Sequence, residues 1–465
     1  MNDSYIESIT LEGMHQRYDL DLKFNKSLNV LYGQNGTGKS TLIHILANLA
    51  NADFLRFAYL DFVSICAGYS NGKLVQIKND GGSDPVYEVT VETIEDRTSY
   101  SFQFSQSEAQ IALSNLDDDR HSKEQINEAI IRQKYFVEGS MLPKMKTAYF
   151  PAFRTMLEAW SSQFDEEMRR YRGSSMTSIS TQKATSFARN LFGKFLPSIN
   201  YPSPLSIEQN LREEIRDAHL KIARYESSIF SDSFVKVFSA ILSGAEGSIQ
   251  EAEKLLEEIS ELTTETALNK LINFEGPSHA YVQLQNLVGR SRESRELASS
   301  ATGALTVYRD ALRERRDYQI QIFARIDKYF AAVNAFLDQK ELRYLPDSAR
   351  RIPKVGLQFP DGSWSSIRVM SSGERQLLTM LYAVTKMSTD SLVLIDEPEL
   401  SLHIDWQEDL LAKMMAQLGE RQIIVCTHSP SIASDYREFM IEVAPKLSKK
   451  SPASNIMTDD DEELI

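Results

Sequence analysis

Two segments about 330 residues apart (Thr41 to Met370) constrain this chain most, because the chemistry of each is unfinished without the other. The first, Gly33 to Thr41, reads GQNGTGKST. The second comprises MSSGERQ at Met370–Gln376, LVLIDEPEL at Leu392–Leu400 and VCTHSP at Val425–Pro430. A fold that uses both must bring the two ends of the chain together and leave the middle to form something else.

Gly33-x-x-x-x-Gly38-Lys39-Ser40 matches the phosphate-loop pattern. Leu28, Val30 and Leu31 predict a short apolar strand before it, and Leu42, Ile43, Leu46, Leu49 and Ala50 follow at helical spacing. Strand, glycine loop and helix together aim backbone N–H groups and a helix N-terminus at phosphates. In that geometry Lys39 reaches the β- and γ-phosphates and the Ser40 hydroxyl binds Mg²⁺. A glycine-rich turn with an exposed lysine would need none of this flanking pattern.

Downstream, the apolar run Leu392 to Ile395 predicts a buried parallel strand ending in Asp396-Glu397. A carboxylate at that edge sits where α/β sheets bind ligands. Asp396 is the expected metal residue and Glu397 the expected general base for the attacking water. Ile423 to Cys426 predicts another short strand, and His428 follows it, placed to hydrogen-bond a γ-phosphate or the catalytic water. Taken alone, Asp-Glu-Pro is a polar strand exit and His428 a structural histidine; the cradle upstream favours the functional reading of both. Ser371-Ser372-Gly373, followed by Glu374, Arg375, Gln376 and the apolar Leu377, Leu378, Leu381 and Tyr382, predicts a helix start with a buried face. Such a start suits an anion.

Together these strings resemble the ABC-type ATPase heads of the SMC, RecF and OLD group. GQNGTGKST is similar to their phosphate loop, with Asn35 in the usual place. MSSGE is similar to the LSGGQ signature, with Ser372 replacing the first glycine and Glu374 the glutamine, a spelling common in the OLD-like branch. Leu400-Ser401-Leu402-His403 takes the D-loop position and His428 the switch position. The resemblance covers roughly residues 1–55 and 365–432. It implies an α/β fold: an ABC-type P-loop ATPase head, with a mixed sheet and an antiparallel β lobe, and a helical or coiled-coil arm inserted between phosphate loop and signature. ATP and Mg²⁺ are the implied cofactors. Asn35, Gly36, Gly38, Lys39, Ser40, Thr41, Ser371 and Gly373 are implied on the nucleotide, Ser40 and Asp396 on the metal, and Glu397 and His428 in catalysis. In that family the signature serine contacts ATP bound to the opposite subunit, which implies composite sites in a head-to-tail dimer or a larger ring.

At 465 residues the chain can hold two or three cores. Cys66 and Cys426 are its two cysteines, both in apolar contexts, which argues for a reducing cytosol and against disulfides or a zinc hook. The start, MNDSYIESIT, carries no basic apolar leader, and no apolar run reaches the length of a membrane span. The expectation is a cytoplasmic protein with no membrane partner. A net charge of −14 argues against a surface that coats nucleic acid generally, so any DNA contact is a local patch.

The expected organisation is a first part of the head over 1–200, an arm over 201–340, a second part of the head over 341–445 and an acidic tail over 446–465. Tyr18, Leu20, Leu22 and Phe24 alternate with Asp19, Asp21 and Lys23, the period of a half-buried strand. Lys73–Lys78, Val86–Glu92 and Thr98–Phe104 repeat that alternation between turns at Asn71-Gly72, Gly81-Gly82 and Glu95-Asp96, predicting an antiparallel meander. Thr147 to Arg154 reads as a core strand leaving the sheet. Arg154 then serves either the loop that links nucleotide to partner or a surface salt bridge. Gly173 to Ser186, rich in serine and threonine, reads as a mobile loop.

From about 205 the pattern is helical. Ile207, Leu211, Ile215, Ala218, Ile222 and Tyr225 form one stripe, and Ile249, Ala252, Leu255 or Leu256, Ile259 and Leu262 a second. Leu312, Ile322, Ile326, Tyr329, Val333 and Leu337 predict a long helix over 303–338. The basic run of Arg290, Arg292, Arg295, Arg309, Arg313, Arg315, Arg316 and Arg325 reads either as a solvated face laced with ion pairs or as a docking patch for a polyanion.

OLD-type proteins often continue into a TOPRIM nuclease. Too few residues follow His428 for one, and the Asp459–Glu463 run reads as a solvated tail. The expected output therefore resides in another chain. An OLD-like head with an arm and no nuclease most resembles the ATPase subunits of PARIS-type anti-phage systems. That resemblance implies a separate nuclease effector and a phage-encoded trigger protein, for which an acidic, DNA-mimicking surface is one reading of the basic run. The alternative is a RecF/SMC-like DNA-repair ATPase that binds DNA. A transporter subunit fits less well, given the long insertion before the signature.

Overall fold

A computed structural model of the chain describes residues 4–94, 97–117, 127–143, 145–154, 156–157, 176–200, 202–242, 250–251, 254–255, 257–259, 261–262, 295–345, 353–386, 391–417, 421–433 and 435–448. These residues form two compact units, one from Met1–Ser203 with Met370–Ile465 and one from Pro204–Val369.

The first unit begins with β1 (Ile6–Met14), β2 (Tyr18–Lys23), β3 (Leu28–Tyr32) and α1 (Lys39–Ala50). Next come β4 (Ser64–Tyr69), β5 (Lys73–Asn79), β6 (Val86–Thr93), β7 (Thr98–Ser105), α2 (Gln106–Asp117), α3 (Glu128–Gly139), β8 (Lys146–Phe150) and α4 (Met176–Phe192). The second unit holds α5 (Pro204–Leu242), α6 (Arg295–Asn334), β9 (Glu341–Leu345), β10 (Lys354–Gln358) and β11 (Trp364–Ser365). The chain then returns to the first unit with α7 (Ser372–Lys386), β12 (Ser391–Asp396), α8 (Ile404–Gln417), β13 (Gln422–Cys426), β14 (Met440–Glu442) and β15 (Lys446–Leu447).

The first unit contains two sheets. A parallel sheet, ordered β14-β3-β13-β12-β8, is built from apolar runs. Leu392 to Ile395 and Ile423 to Val425 have no exposed surface, as strands covered on both faces require. Val30 pairs with Val425, and Val393 with Ile423, so the two ends of the chain are hydrogen-bonded side by side. The helix α1 covers β8, β12 and β13. The antiparallel sheet, ordered β15-β2-β1-β4-β5-β6-β7, shows the expected alternation. Val75, Ile77, Val89 and Val91 are buried, while Gln76, Lys78, Glu88 and Glu92 between them keep exposed surface. One buried side chain ties the sheets together. Gln422 of β13 accepts from Ile6 N (3.2 Å) and donates to Ile6 O (2.8 Å) and Asn25 O (3.0 Å).

The segment read as a loop over Gly173 to Ser186 is different in the structure. Residues 173–175 lie outside the described residues, and Met176 onward is helix α4. Its composition is poor for a helix, but Thr185, Ala188 and Arg189 are buried and Arg189 Nη1 pairs with Asp117 at 2.9 Å. Tertiary packing overrides weak local propensity here.

In the second unit α5 and α6 pack along one another, each about 60 Å long at 1.5 Å per residue. Ile207, Leu211, Ile215, Ala218 and Ile222 are buried on α5, and Phe323, Ile326, Tyr329 and Val333 on α6. Tyr225 stacks on Tyr318 with centroids 3.8 Å apart. The helix expected over 303–338 runs instead from Arg295 to Asn334. It stops because Asn334 bonds the backbone of Leu342 twice (2.7 and 3.1 Å), turning the chain into β9. The strands β9, β10 and β11, read from sequence with the second part of the head, form a three-stranded sheet, β11-β10-β9, within this unit.

Three of the arm arginines are ion-paired within the chain. Arg309 and Arg313 both pair with Glu258, and Arg315 pairs with Glu226. Arg290, Arg292, the turn Glu95-Asp96, the stripe positions Ile249, Ala252 and Leu256, and the run 459–463 lie outside the described residues. No helix among the described residues is long and apolar enough to cross a membrane. The arrangement is an α/β fold: a parallel sheet carrying the phosphate loop, an antiparallel sheet in the same unit, and a helical insertion between loop and signature in the sequence.

Candidate active site

Three neighbouring strands of the parallel sheet deliver the two distant segments to one edge. The strand β3 runs into the glycine loop, β12 ends at Asp396, and β13 between them runs on to Thr427 and His428. A cavity of about 750 Å³ opens there, lined by residues 35–41, Glu397, Glu399 and His428, and by Met14, His15 and Tyr18 of the β1–β2 hairpin.

The loop depends on glycine twice. Gly36 and Gly38 have φ of 82° and 84°, the left-handed region that a Cβ disfavours. Gly38 is also the N-cap of α1; it supplies no side-chain cap, and no acidic residue stands in the first turn. The first N–H groups and the positive end of the helix are therefore left for an anion. Lys39 is buried, and its Nζ donates to Gly33 O and Gln34 O, both at 2.9 Å. Asn35 and Ser40 are exposed and Thr41 half-buried at the cavity wall.

Asp396 is buried and hydrogen-bonded by Ser40. Burial pushes its carboxyl up to about 6; the Ser40 hydrogen bond opposes this and the neighbouring Glu397 charge adds to it. A buried carboxylate in that condition is stabilised by a cation. Glu399 Oε2 is buried with no hydrogen-bond partner among the described residues. Hard oxygen donors of this kind (Asp396 and the Ser40 hydroxyl) suit Mg²⁺. The residues present fit a Mg-nucleotide.

Glu397 lines the cavity in a left-handed backbone conformation, φ 49°, with its N–H donated to Cys426 O at 2.9 Å. His428 is exposed at the cavity.

The signature segment is built as a helix start. Ser371 Oγ accepts from Glu374 N at 3.3 Å, and Glu374 Oε2 accepts from Ser371 N at 2.7 Å, a reciprocal capping box. Glu374, the departure from the LSGGQ glutamine, thereby has a local role. Ser371 keeps its own hydroxyl proton to donate. Gly373 is needed for close approach, since a Cβ there would lie 2.6 Å from Ser401 O. The cavity lining does not include Ser371, Ser372, Gly373 or Glu374, and both serines are exposed. The fold thus brings cradle, Asp396, Glu397 and His428 together and leaves the signature apart.

Two connectors hold the site, one that the sequence left open between two roles and one that it did not mark. Arg154 is no surface salt bridge. It is buried, and its Nη1 donates to Asp396 O (3.0 Å) and Pro151 O (3.3 Å). Its Nη2 donates to Glu397 O (3.0 Å), Gln376 Oε1 (3.1 Å), Pro398 O (3.2 Å) and Leu400 O (3.3 Å). One guanidinium therefore joins the Asp396–Leu400 turn to the signature helix. The second is Glu399, for which acidity two residues after Glu397 was the one signal in the sequence.

Two solved structures illustrate what the chain is similar to. An Smc head domain with an extended coiled coil, bound to the C-terminal domain of ScpA, from Pyrococcus furiosus aligns at 13% identity and a TM-score of 0.38, covering 98% of each chain. An Smc head domain with a coiled coil and joint from Pyrococcus yayanosii aligns at 13% identity and 0.33, covering 98% of this chain and 99% of that one. No curated protein sequence matches significantly. The family model described as an AAA ATPase domain matches residues 5–433. With that match spanning the phosphate loop, the insertion and His428, the chain belongs to the AAA_15 family of AAA ATPase domains and is an ATPase.

Proposed function

We propose that this ATPase works as a head-to-tail pair or a larger ring, each copy completing the other's site with its signature. The observation that supports this is the division of the site: cradle, Glu397 and His428 line one cavity, while Ser371 and Ser372 stand exposed outside it. On binding ATP, Lys39 exchanges two loop carbonyls for β- and γ-phosphate oxygens, and the uncapped start of α1 donates to the phosphates. Ser40 and Asp396 would hold Mg²⁺, which would supply charge neutralisation to the phosphates. Glu397 takes a proton from the attacking water, and His428 donates to the γ-phosphate end. Ser371 and the Gly373 N–H of a second copy close over that phosphate. Glu397→Gln is expected to trap ATP and accumulate dimers or larger assemblies, whereas Lys39→Ala should not bind nucleotide. Monomers persisting with ATP in the Glu397→Gln protein would refute the composite site.

The finer reading is a cytoplasmic sensor or scaffold subunit of an anti-phage complex. It holds a separate TOPRIM-type nuclease and releases it on meeting a phage trigger protein. The OLD-like spelling of MSSGE supports this reading. The DNA-repair alternative is weakened by the charge of −14 and by the ion pairs that occupy Arg309, Arg313 and Arg315. Purification of the tagged chain from its native operon tests the choice. A stoichiometric nuclease is expected; salt-sensitive duplex DNA with no protein partner would favour the repair reading.

A further inference from the structure

The turn after Asp396 carries an acid that no motif singles out. Glu399 Oε1 accepts three hydrogen bonds from one short segment: Thr427 Oγ1 at 2.9 Å, His428 N at 2.7 Å and Ser429 N at 3.1 Å. Thr427 Oγ1 also accepts from Ser429 N at 2.9 Å, and Ser429 Oγ donates to Gln407 Oε1 at 2.8 Å. Thr427 is buried, so the segment is held through its main chain while the His428 imidazole stays exposed at the cavity. The turn bearing Glu399 is itself fixed. Glu397 and Ser401 on either side have φ of 49° and 69°, Leu402 N donates to Glu399 O at 3.0 Å, and Arg154 binds the carbonyls of residues 396, 397, 398 and 400.

We infer that Glu399 is a positioning residue for His428. Through one carboxylate oxygen it ties the backbone of Thr427 to Ser429 to the turn that carries Asp396 and Glu397. The switch histidine and the metal-and-base segment therefore move as one piece, and the imidazole is preset at the γ-phosphate end of the cavity. A carboxylate suits this task because a single ionised oxygen can accept several N–H and O–H donors at once. This inference rests on the proposed role of His428.

The test compares Glu399→Ala, His428→Ala and the double variant in steady-state ATP hydrolysis, and follows amide hydrogen exchange at His428 and Ser429. Losing one preset donor to a transition-state phosphate costs about 10²-fold in kcat. Glu399→Ala should approach that loss with KM changed by less than about threefold, and the double variant should be no slower than His428→Ala, since both remove the same contact. Exchange protection of the two amides should vanish in Glu399→Ala and survive in Glu399→Gln, whose amide oxygen still accepts. If Glu399→Ala does not fold, Glu399→Asp serves: one methylene shorter, it should lose both protection and kcat, while Glu399→Gln keeps the protection. Multiplying losses in the double variant, or a wild-type kcat in Glu399→Ala, would overturn the inference and leave the reading of His428 intact. A wild-type kcat in His428→Ala would remove that reading and the inference with it.

Discussion

Replacing Arg154 by alanine removes the group that binds the Asp396–Leu400 turn to the signature helix. Its two terminal nitrogens make six contacts of 3.0 to 3.3 Å, five of them to main-chain carbonyls. Two nitrogens carry only four N–H groups, so several contacts are shared and about four hydrogen bonds are lost. Charged hydrogen bonds contribute about 1.5–3 kcal/mol each, but water reaching the half-buried Glu397 and the exposed Leu400 recovers part of the loss. Breaking a buried charged contact of this kind costs about 3–5 kcal/mol, a large share of a typical folding free energy. The expected fall in unfolding temperature of nucleotide-free protein is about 10 °C. Arg154→Lys keeps the charge but not the planar fork, and should fall by about half as much. Of the three tryptophans Trp364 lies in the helical unit, and Trp160 and Trp406 in the segments of the first unit, so a Trp364→Phe background lets tryptophan emission report that unit alone. An Arg154→Ala protein that melts within about 2 °C of its parent and keeps its kcat would refute the role of this residue as a connector.

Three further outcomes follow from the same geometry. In Gly373→Ala the new Cβ lies 2.6 Å from Ser401 O and must push helix and turn apart, a cost of about 1–3 kcal/mol measurable by urea unfolding. His44 is half-buried with Nε2 2.7 Å from Tyr149 Oη, and the desolvation of its ring lowers its pKa to about 4. The unfolded chain takes up that proton near pH 6.5 and the native one does not, so stability present at neutral pH is lost as the pH falls from 6.5 towards 4, about 3 kcal/mol in all. His44→Gln should flatten that slope in denaturant midpoints. The Asp396 carboxyl has the opposite sign: raised to about 6, it burdens the nucleotide-free protein above that pH. Asp396→Asn should therefore raise the melting temperature at pH 8 without nucleotide while abolishing Mg²⁺-dependent hydrolysis.

The parts legible in the sequence were those that local pattern encodes. The strands carrying the cradle, Asp396 and His428 are unbroken apolar runs ending in motif residues, and the meander alternates with period two. Where tertiary contact decided, the sequence misled. The serine-rich stretch folds as α4 because Arg189 and Ala188 find buried partners, and α6 ends where Asn334 reaches Leu342 rather than where its apolar spacing stops. Glu399 was illegible, and Arg154 readable only as a choice between two roles, for a simpler reason. Their partners are mostly main-chain carbonyl and N–H groups, which every residue possesses and no spacing marks. The basic run reads two ways in the sequence because nothing local marks Glu258 as the partner of Arg309 and Arg313, or Glu226 as that of Arg315.

The composite site is tested most directly by mixing two inactive chains. Lys39→Ala lacks a working cradle and keeps its signature; Ser371→Arg lacks a working signature and keeps its cradle. If signature and cradle meet across copies, an equal mixture forms one intact site in each mixed pair, and hydrolysis returns at about a quarter of the wild-type rate for random two-fold pairing. If each chain completes its own site, the mixture stays as inactive as its parts, and the shared site between copies does not exist.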